Sequence, residues 1–302
     1  MKKFSNLILF LTASVFYFPF RILPYRVCLF LGVCIVNFFY PFAKKHKKIA
    51  KENLCFAFPT KTEKEISDLV KKHFRHIGIL LGSTLFAPRI DKKWVNKYLI
   101  YEEKSLELEK KIRAENKSAV IVMGHLGVWE IFVQLVGLRF QGVGMYKKIR
   151  NPLVDSMIFK MRSKNKIILY PMEESVSVLK AIKKGYWTAF GPDQNAGKAG
   201  IFINFFNRPA STYVGPVMMA YAANSRLLFY SITSLEKGRV LMRMKDIGFI
   251  EKEKFETKEK ALRFYTEKWV KLLEEEIKLF PEQYFWVHRR WRTKPGDFPD
   301  QK

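Results

Sequence analysis

The chain has 302 residues, of which 48% are hydrophobic and 27% are charged. This composition excludes disordered and collagen-like chains, and the length is sufficient to bury a sizeable core. Lysine and arginine together number 54 against 28 aspartates and glutamates, so the formal net charge is +26. Such an excess favours polyanionic partners, namely nucleic acid, anionic membranes, phosphorylated substrates or an acidic carrier protein.

The cysteine content excludes two further classes of protein. The three cysteines are Cys28, Cys34 and Cys55, and no CxxC pair occurs. Their number is odd, and two of them lie inside an apolar run. Neither a disulfide-based scaffold nor a cysteine-ligated zinc site is therefore expected.

Residues 1–43 are predicted to anchor the chain in a membrane. Two runs, 4–20 and 27–43, contain no charged side chain, and each has about the minimum length that crosses a bilayer. A cleaved signal peptide is the alternative, but no small-x-small cleavage site follows the first run. Two arrangements stay open: one segment spans while the other lies in the interface, or both form a re-entrant hairpin.

A basic segment follows the second apolar run. Lysines occupy positions 44, 45, 47, 48 and 51. By the positive-inside tendency this end is predicted to stay in the cytoplasm, where the lysines attract anionic headgroups. Residues 44–302 are predicted to form one cytoplasm-facing catalytic domain.

Helical and strand patterns alternate through the rest of the chain. Apolar residues at helical spacing predict long helices over 63–85 and 258–279, and shorter helical patterns cover 178–182 and 212–223. Short apolar runs bounded by glycine, proline or charge predict strands at 119–123, 166–170, 187–190, 201–206, 227–232 and 240–244. The alternation predicts an α/β fold with helices flanking a mostly parallel or mixed central sheet.

The segment 119–130 is the most informative part of the sequence. A buried strand leads into a glycine-flanked turn that holds His125, and an apolar helix is predicted over 128–138. With His125 in the turn and Glu130 in the first helical turn, the carboxylate is expected to reach the imidazole. A histidine that accepts a proton from a hydroxyl needs such a neighbour to fix its tautomer and stabilise the imidazolium.

The turn also offers backbone donors. Gly124 and Gly127 are expected to let N–H groups approach a developing oxyanion, close to the helix N-terminus. The H-x4-E spacing alone is weak, and a structural histidine with a surface glutamate fits it equally well.

No catalytic or metal-binding role is expected for four other polar residues. Ser211 and Thr212 are predicted to cap the N-terminus of the helix at 212–223. His73 and His76 lie on the predicted helix 63–85 with no third ligand nearby, so a metal site is not expected there.

A series of short motifs then occurs in one order along nearly the whole chain. They cover residues 53–59, 124–130, 146, 151–155, 162–163, 192–194, 201–206, 208–215 and 281–295. Together they resemble the lipid A biosynthesis acyltransferases of the lauroyl and myristoyl type, within the wider H-x4-D/E glycerolipid acyltransferases. The block 281–295 (PEQYFWVHRRWRTKP) is the most specific, and Glu130 replaces the aspartate usual in phospholipid acyltransferases.

The resemblance implies transfer of a fatty acyl chain from acyl carrier protein to the 3-hydroxyl of an acyl chain on a phosphorylated glucosamine disaccharide. It makes His125 the general base and Glu130 its orienting partner, without an acyl-enzyme, cofactor or metal. The implied partners are acyl carrier protein, a phosphorylated glycolipid acceptor and an anionic membrane, with no nucleic acid. The implied location is the bacterial inner membrane, with the catalytic domain facing the cytoplasm.

The resemblance extends to further charged residues. Arg162 and Asp193 match charged family positions near the site, and Arg162 is expected to face the thioester oxyanion or a phosphate; an ion pair holding the sheet edges is the alternative. Lys147 stands where the family commonly has arginine, which keeps the charge but loses the bidentate fork. In the tail, His288, Arg289 and Arg290 are expected to contact the headgroup or the carrier, unless the tail aromatics only close the core.

Two other functions remain compatible with the sequence. The first is an acyl-CoA-dependent acyltransferase that acts on another membrane glycolipid or a lysophospholipid. The second is a basic membrane-anchored protein that binds nucleic acid or acidic lipid without chemistry. The length of the acyl chain is not determined by any motif.

Overall fold

The computed structural model describes residues 2–115 and 117–297, so the last five residues of the predicted domain lie outside it. The helices are α1 (Lys2–Ile22), α2 (Tyr25–Phe39), α3 (Lys44–Ala57), α4 (Glu63–Phe86), α5 (Lys92–Tyr98), α6 (Glu103–Ala114), α7 (Trp129–Arg139), α8 (Pro152–Arg162), α9 (Ser175–Lys183), α10 (Gly215–Ala223) and α11 (Lys258–Leu279). The strands are β1 (Leu99–Tyr101), β2 (Ala119–Val122), β3 (Gly142–Tyr146), β4 (Ile168–Pro171), β5 (Trp187–Phe190), β6 (Ile201–Phe205), β7 (Arg208–Thr212), β8 (Arg226–Ser234) and β9 (Val240–Gly248).

A mixed, mostly parallel sheet forms the centre of the described residues. Its strand order is β1-β9-β8-β2-β5-β3-β4. Neighbouring strands run parallel except for β8 and β9, which form an antiparallel pair. Strands β6 and β7 form a separate antiparallel hairpin. The predicted α/β fold is therefore confirmed.

The central strand β2 is buried on both faces. Val120 and Val122 belong to a cluster that includes residues of α9, α10 and α11. Ala119 and Ile121 belong to a second cluster with residues of α5, α6 and α7. Because helices cover both sides of the sheet, β2 is an uninterrupted apolar run rather than an alternating one.

The longest predicted helices agree with the structure. Helix α4 extends one residue beyond the prediction, and its first turn carries a capping box between Thr62 and Glu65. Helix α11 has the predicted bounds, with the Thr257 side chain accepting from the Lys260 N–H at its start. Both helices combine an apolar stripe with local end signals, which are features that sequence alone can specify.

The prediction for Ser211 and Thr212 is wrong. Both residues belong to strand β7, and α10 begins only at Gly215. Because both residues pair with β6, their backbone is extended rather than helical, and Thr212 lies opposite Ile201. Strands β1, β3 and β7 were not predicted.

The N-terminal helices carry exposed apolar side chains. The segment Tyr25–Phe42 is long and apolar enough to cross a membrane, and a shorter apolar helix covers Asn6–Ile22. Helix α2 packs along α4 at close range, since a Cβ added to Gly32 would lie 2.2 Å from the carbonyl oxygen of Gly78. Away from this contact, Phe30 and Phe38 are exposed.

Candidate active site

His125 and Asp193 follow two neighbouring parallel strands. Val122, the last residue of β2, is opposite Phe190, the last residue of β5. The Met123 N–H extends this pairing by donating to the Phe190 carbonyl at 2.9 Å. Because parallel strands end at the same edge of a sheet, the loops that carry His125 and Asp193 emerge side by side.

Two hydrogen bonds join His125 to Asp193. The backbone N–H of His125 donates to Oδ2 of Asp193 at 2.9 Å, and the imidazole Nδ1 lies 2.6 Å from Oδ1. Since a carboxylate only accepts, Nδ1 carries the proton, and Nε2 of the neutral ring keeps its lone pair. Gly191 permits this close approach, because a Cβ there would lie 3.1 Å from Cε1 of the imidazole. The pair has the form of a general base whose tautomer is fixed by a buried acid.

The electrostatics of the pair make the His125 imidazole more basic. Burial opposes ionisation of Asp193, but the imidazole and the N–H of His125 outweigh it and lower the pKa of the carboxyl. Burial also favours the neutral form of His125. The Asp193 carboxylate, with a smaller contribution from Glu130, outweighs burial and raises the His125 pKa above its ordinary value. Asp193 therefore stays ionised while His125 becomes more basic.

Glu130 lies in the first turn of α7, as expected, but its hydrogen bonds go to Arg162. The Arg162 guanidinium donates from Nη2 to Oε1 at 2.5 Å and from Nε to Oε2 at 3.2 Å. The prediction that Glu130 orients the imidazole therefore differs from the structure, in which Asp193 holds Nδ1. The reason is strand order: β5 delivers Asp193 to the turn, while α7 carries Glu130 toward the end of α8.

A cavity of about 240 Å³ opens beside these side chains. Its polar wall consists of His125, Glu130 and Arg162. The rest of its lining is mostly aliphatic and aromatic, with Phe132, Val133, Val136, Val143, Met145, Ile167, Leu169, Ala189 and Phe190. The Trp129 ring contacts the imidazole at the mouth, with 5.0 Å between ring centroids. The cavity suits a hydrocarbon chain whose reactive end lies next to His125.

The turn that carries His125 is fixed by its backbone. Gly127 has a φ of +68°, and a Cβ there would lie only 1.9 Å from the Ile232 carbonyl oxygen, so this position requires glycine. Its N–H donates to the Gln283 carbonyl at 3.0 Å. The Gly127 N–H is therefore already bonded within the fold. That Gly124 and Gly127 let backbone N–H groups approach an oxyanion stays a prediction.

The C-terminal segment 283–293 bonds to the two loops that carry His125 and Asp193. The Phe285 N–H donates to the His125 carbonyl at 2.9 Å. Further along, His288 Nε2 accepts from the Asn195 N–H at 2.9 Å, two residues beyond Asp193. The segment thus ties the turn after β2 to the loop after β5.

The three basic residues predicted in the tail occupy different environments. Arg290 is 2% exposed and donates to the Ser211 carbonyl and to Thr212 Oγ1, both at 2.5 Å. His288 is partly buried, and burial lowers its pKa. Arg289 is exposed, as is Lys147 in the segment after β3.

The histidines of α4 are buried and bonded to backbone carbonyls. His73 Nδ1 donates to the Glu282 carbonyl and His76 Nε2 to the Gly127 carbonyl, each at 3.1 Å. Burial lowers the pKa of His73 to about 3 and that of His76 to about 4. Within residues 2–115 and 117–297, no group of three or more His, Cys, Asp or Glu side chains is arranged to hold a metal ion.

Sequence reasoning missed the bond between His125 and Asp193. The available signal was positional, since both residues come shortly after predicted strands, 119–123 and 187–190. Recognising the pair requires the adjacency of β2 and β5, which no local pattern specifies.

The family model described as bacterial lipid A biosynthesis acyltransferase matches residues 2–293. The chain belongs to this family. A lipid A biosynthesis palmitoleoyltransferase of Escherichia coli is 27% identical over 280 residues, covering 90% of this chain and 87% of that protein. A lipid A biosynthesis lauroyltransferase of the same species is 27% identical over 288 residues, covering 92% and 90%. A lipid A biosynthesis acyltransferase of Haemophilus influenzae is 23% identical over 265 residues, covering 84% and 80%.

The protein is therefore an acyltransferase of lipid A biosynthesis. Both loops that carry the His125–Asp193 pair lie inside the matched region. The apolar cavity next to an activated histidine agrees with transfer of a fatty acyl group.

Proposed function

We propose that this acyltransferase moves a fatty acyl chain from acyl carrier protein to a hydroxyl on an acyl chain of a phosphorylated lipid A precursor. The observation that carries this proposal is the bond between His125 and Asp193, with His125 and Arg162 both lining a cavity of mostly hydrophobic residues. The cavity takes the acyl chain of the donor, so that the thioester carbonyl lies near His125. The net charge of +26 attracts both an acidic carrier and a phosphorylated acceptor.

In the proposed reaction, His125 is the general base. Nε2 takes the proton of the acceptor hydroxyl as its oxygen attacks the thioester carbonyl. The tetrahedral intermediate collapses with cleavage of the carbon–sulfur bond, and the imidazolium returns the proton to the departing thiolate. Asp193 stabilises the imidazolium through Nδ1. No acyl-enzyme forms.

Arg162 supplies positive charge for the oxyanion. It lines the cavity, and a guanidinium has donors beyond the two that bind Glu130. We assign Glu130 to hold this guanidinium in place and to add negative charge near His125. Glu130 thus contributes to catalysis through Arg162, while Asp193 orients the base.

The remaining predicted site residues differ in solvent exposure, and we assign them different roles. Lys147 and Arg289 are exposed, and we assign them to contacts with a phosphate or with the acidic carrier. His288 and Arg290 bond to the loop after Asp193 and to β7, and we assign them to positioning.

We place the enzyme at the cytoplasmic face of the bacterial inner membrane, with residues 1–43 as its anchor. The apolar helices at the N-terminus support attachment to a bilayer. The lysines at 44–51 support a cytoplasmic position for residues 44–302.

Acyl transfer by the detergent-solubilised full chain tests the proposal. A panel of acyl carrier protein thioesters of different chain lengths is offered with a tetra-acylated, phosphorylated lipid A precursor. The same chains on coenzyme A form the parallel arm. Faster transfer from carrier protein is expected, and the panel gives the preferred length. Transfer only from acyl-CoA, or only to a lysophospholipid, would contradict the proposed donor or acceptor.

A further inference from the structure

A second cavity of about 950 Å³ lies between α2, α4 and the turn after β8. We call it the α2–α4 groove and define it by the cations on its wall. These are Arg26, Lys72, Arg75, Lys237 and Arg239. Two carboxylates, Glu236 and Glu282, also line it, so positive charge predominates.

The charged groups of these five residues are exposed. Among residues 2–115 and 117–297, none of the five makes an ion pair or a side-chain hydrogen bond. Other arginines of the fold are engaged: Arg139 binds Glu109, and Arg243 binds Glu276. Five unpaired cations on one groove repel each other, and a bound anion relieves that repulsion.

The same two helices also give the groove an apolar lining. Leu29, Phe30 and Val33 of α2 line it, with Ile79 of α4. Phe30 is 65% exposed, and the exposed apolar surface of α2 continues to Phe38. Cations beside an exposed apolar helix match a lipid, because a phosphate meets the charges while acyl chains follow the helix. A free phosphate or a soluble acidic protein would gain no binding energy from these apolar residues.

The groove lies against the back of the catalytic turn. Strand β8 pairs in parallel with β2, so the turn at 235–239 lies at the same edge of the sheet as the catalytic loop. His76 and Gln283, which line the groove, bond to the carbonyl and the N–H of Gly127 respectively. Two residues that line the groove therefore bond directly to the turn that carries His125.

We propose that the α2–α4 groove binds the phosphate headgroup of an anionic membrane phospholipid, which seats the catalytic edge of the sheet on the bilayer. The site is distinct from the acyl cavity and independent of the donor and acceptor of the reaction. Its occupant is a membrane component rather than a substrate.

Binding of short-chain lipids to the detergent-purified full chain tests this proposal. Dissociation constants are measured for phosphatidylglycerol and phosphatidylcholine with matched acyl chains. The groove variant is Lys72→Gln with Arg75→Gln. The matched control is Lys104→Gln with Lys111→Gln, two exposed lysines of α6, so that both variants lose the same net charge.

We expect wild type to prefer phosphatidylglycerol, and the groove variant to bind it roughly tenfold to thirtyfold more weakly, at about 1 kcal/mol per cation. The control should change by less than about threefold, because distant exposed charges are screened. A second groove variant, Lys237→Gln with Arg239→Gln, should weaken binding as the first does. Equal weakening in groove and control variants, or no preference for phosphatidylglycerol, would overturn the proposal.

Two competition arms separate the sources of phosphate. Inorganic phosphate should displace phosphatidylglycerol only weakly, because it lacks acyl chains. Displacement by inorganic phosphate as effective as that by the lipid would reassign the groove to free phosphate and overturn the proposal. If the groove bound the phosphorylated lipid A precursor but not phosphatidylglycerol, it would be a binding site for the acceptor substrate. That result would also overturn the proposal.

Discussion

His125 and Asp193 are 68 positions apart in the chain, yet two hydrogen bonds connect them across the ends of β2 and β5. Glu130, only five positions from His125, instead binds Arg162. Proximity in the sequence therefore predicts the wrong hydrogen-bond partner for the His125 imidazole. The two carboxylates therefore have different partners. Asp193 bonds to the imidazole of His125, and Glu130 bonds to the guanidinium of Arg162.

The first prediction concerns the pH dependence of the reaction. His125 must be unprotonated to act as a base, so activity falls as the pH drops through its pKa. Because Asp193 raises this pKa, the acid limb of kcat/KM should lie above the ordinary histidine value of 6.5. In Asp193→Asn the negative charge that raises the His125 pKa is lost, while burial still lowers that pKa. The acid limb of kcat/KM therefore moves to lower pH. The maximal rate falls about 10²-fold or more, because the imidazolium loses its counter-ion.

The pH profiles of wild type, Asp193→Asn and Glu130→Gln make this comparison. Glu130→Gln should move the limb less, since its charge contributes least to the His125 pKa. A larger displacement in Glu130→Gln than in Asp193→Asn would show that the roles of the two acids are reversed.

The second prediction concerns Arg162. Arg162→Lys keeps the positive charge but loses the two-donor contact with Glu130. We expect kcat to fall by roughly 10²-fold, as for loss of one oxyanion donor, with little change in KM. Steady-state kinetics with the preferred thioester measure both constants. Lys164→Arg, a charge-conserving exchange at a nearby exposed position, is the control, and an equal loss there would contradict the role assigned to Arg162.

The third prediction concerns acyl chain length. Gly144 lines the cavity, and a Cβ there would lie 3.2 Å from Leu169 Cδ2. Gly144→Val should therefore shorten the cavity and shift the preference toward shorter acyl thioesters, while Leu169→Ala should shift it toward longer ones. Competition between thioesters of different length measures the preference. Unchanged preference in both variants would place the acyl chain elsewhere.

The fourth prediction concerns stability in acid. In the folded protein the pKa of His76 is about 4, whereas in the unfolded chain it is near 6.5. Between these values the unfolded state holds more protons, so stability falls as the pH decreases. From about pH 7 to about pH 5 the His76 contribution is a loss of about 2 kcal/mol.

Thermal unfolding at the two pH values measures this loss. In His76→Gln the amide can still donate to the Gly127 carbonyl, but it takes up no proton. That variant should therefore lose less stability on acidification than wild type. An equal acid-induced decrease in Tm for both proteins would assign the effect to other groups.

Local signals explain which parts of the fold the sequence could predict. Helix α11 has a Thr257 cap, a regular apolar stripe and Pro281 after its end, all readable within one window. Strand β3 was missed because Gly142 and Gly144 interrupt its apolar pattern. In the structure those glycines are packing positions, since a Cβ on Gly142 would lie 2.6 Å from Val136 Cγ1.

For the site, likewise, the sequence predicts the local elements but not their tertiary partners. The strand, the turn at His125 and the start of α7 are consecutive, and their placement was expected correctly. The partners of His125 and Glu130 depend on strand order and on where α8 ends. Neither follows from spacing, because tertiary packing decides both.

In the proposed mechanism, His125 is the base that activates the acceptor hydroxyl. The most direct test is the initial rate of acyl transfer from the preferred carrier-protein thioester to the phosphorylated lipid A precursor, for wild type and His125→Gln. Tm values show whether the variant is folded. We predict a rate decrease of about 10²-fold to 10⁴-fold at an unchanged Tm. A folded His125→Gln protein that transfers acyl chains at the wild-type rate would contradict the mechanism.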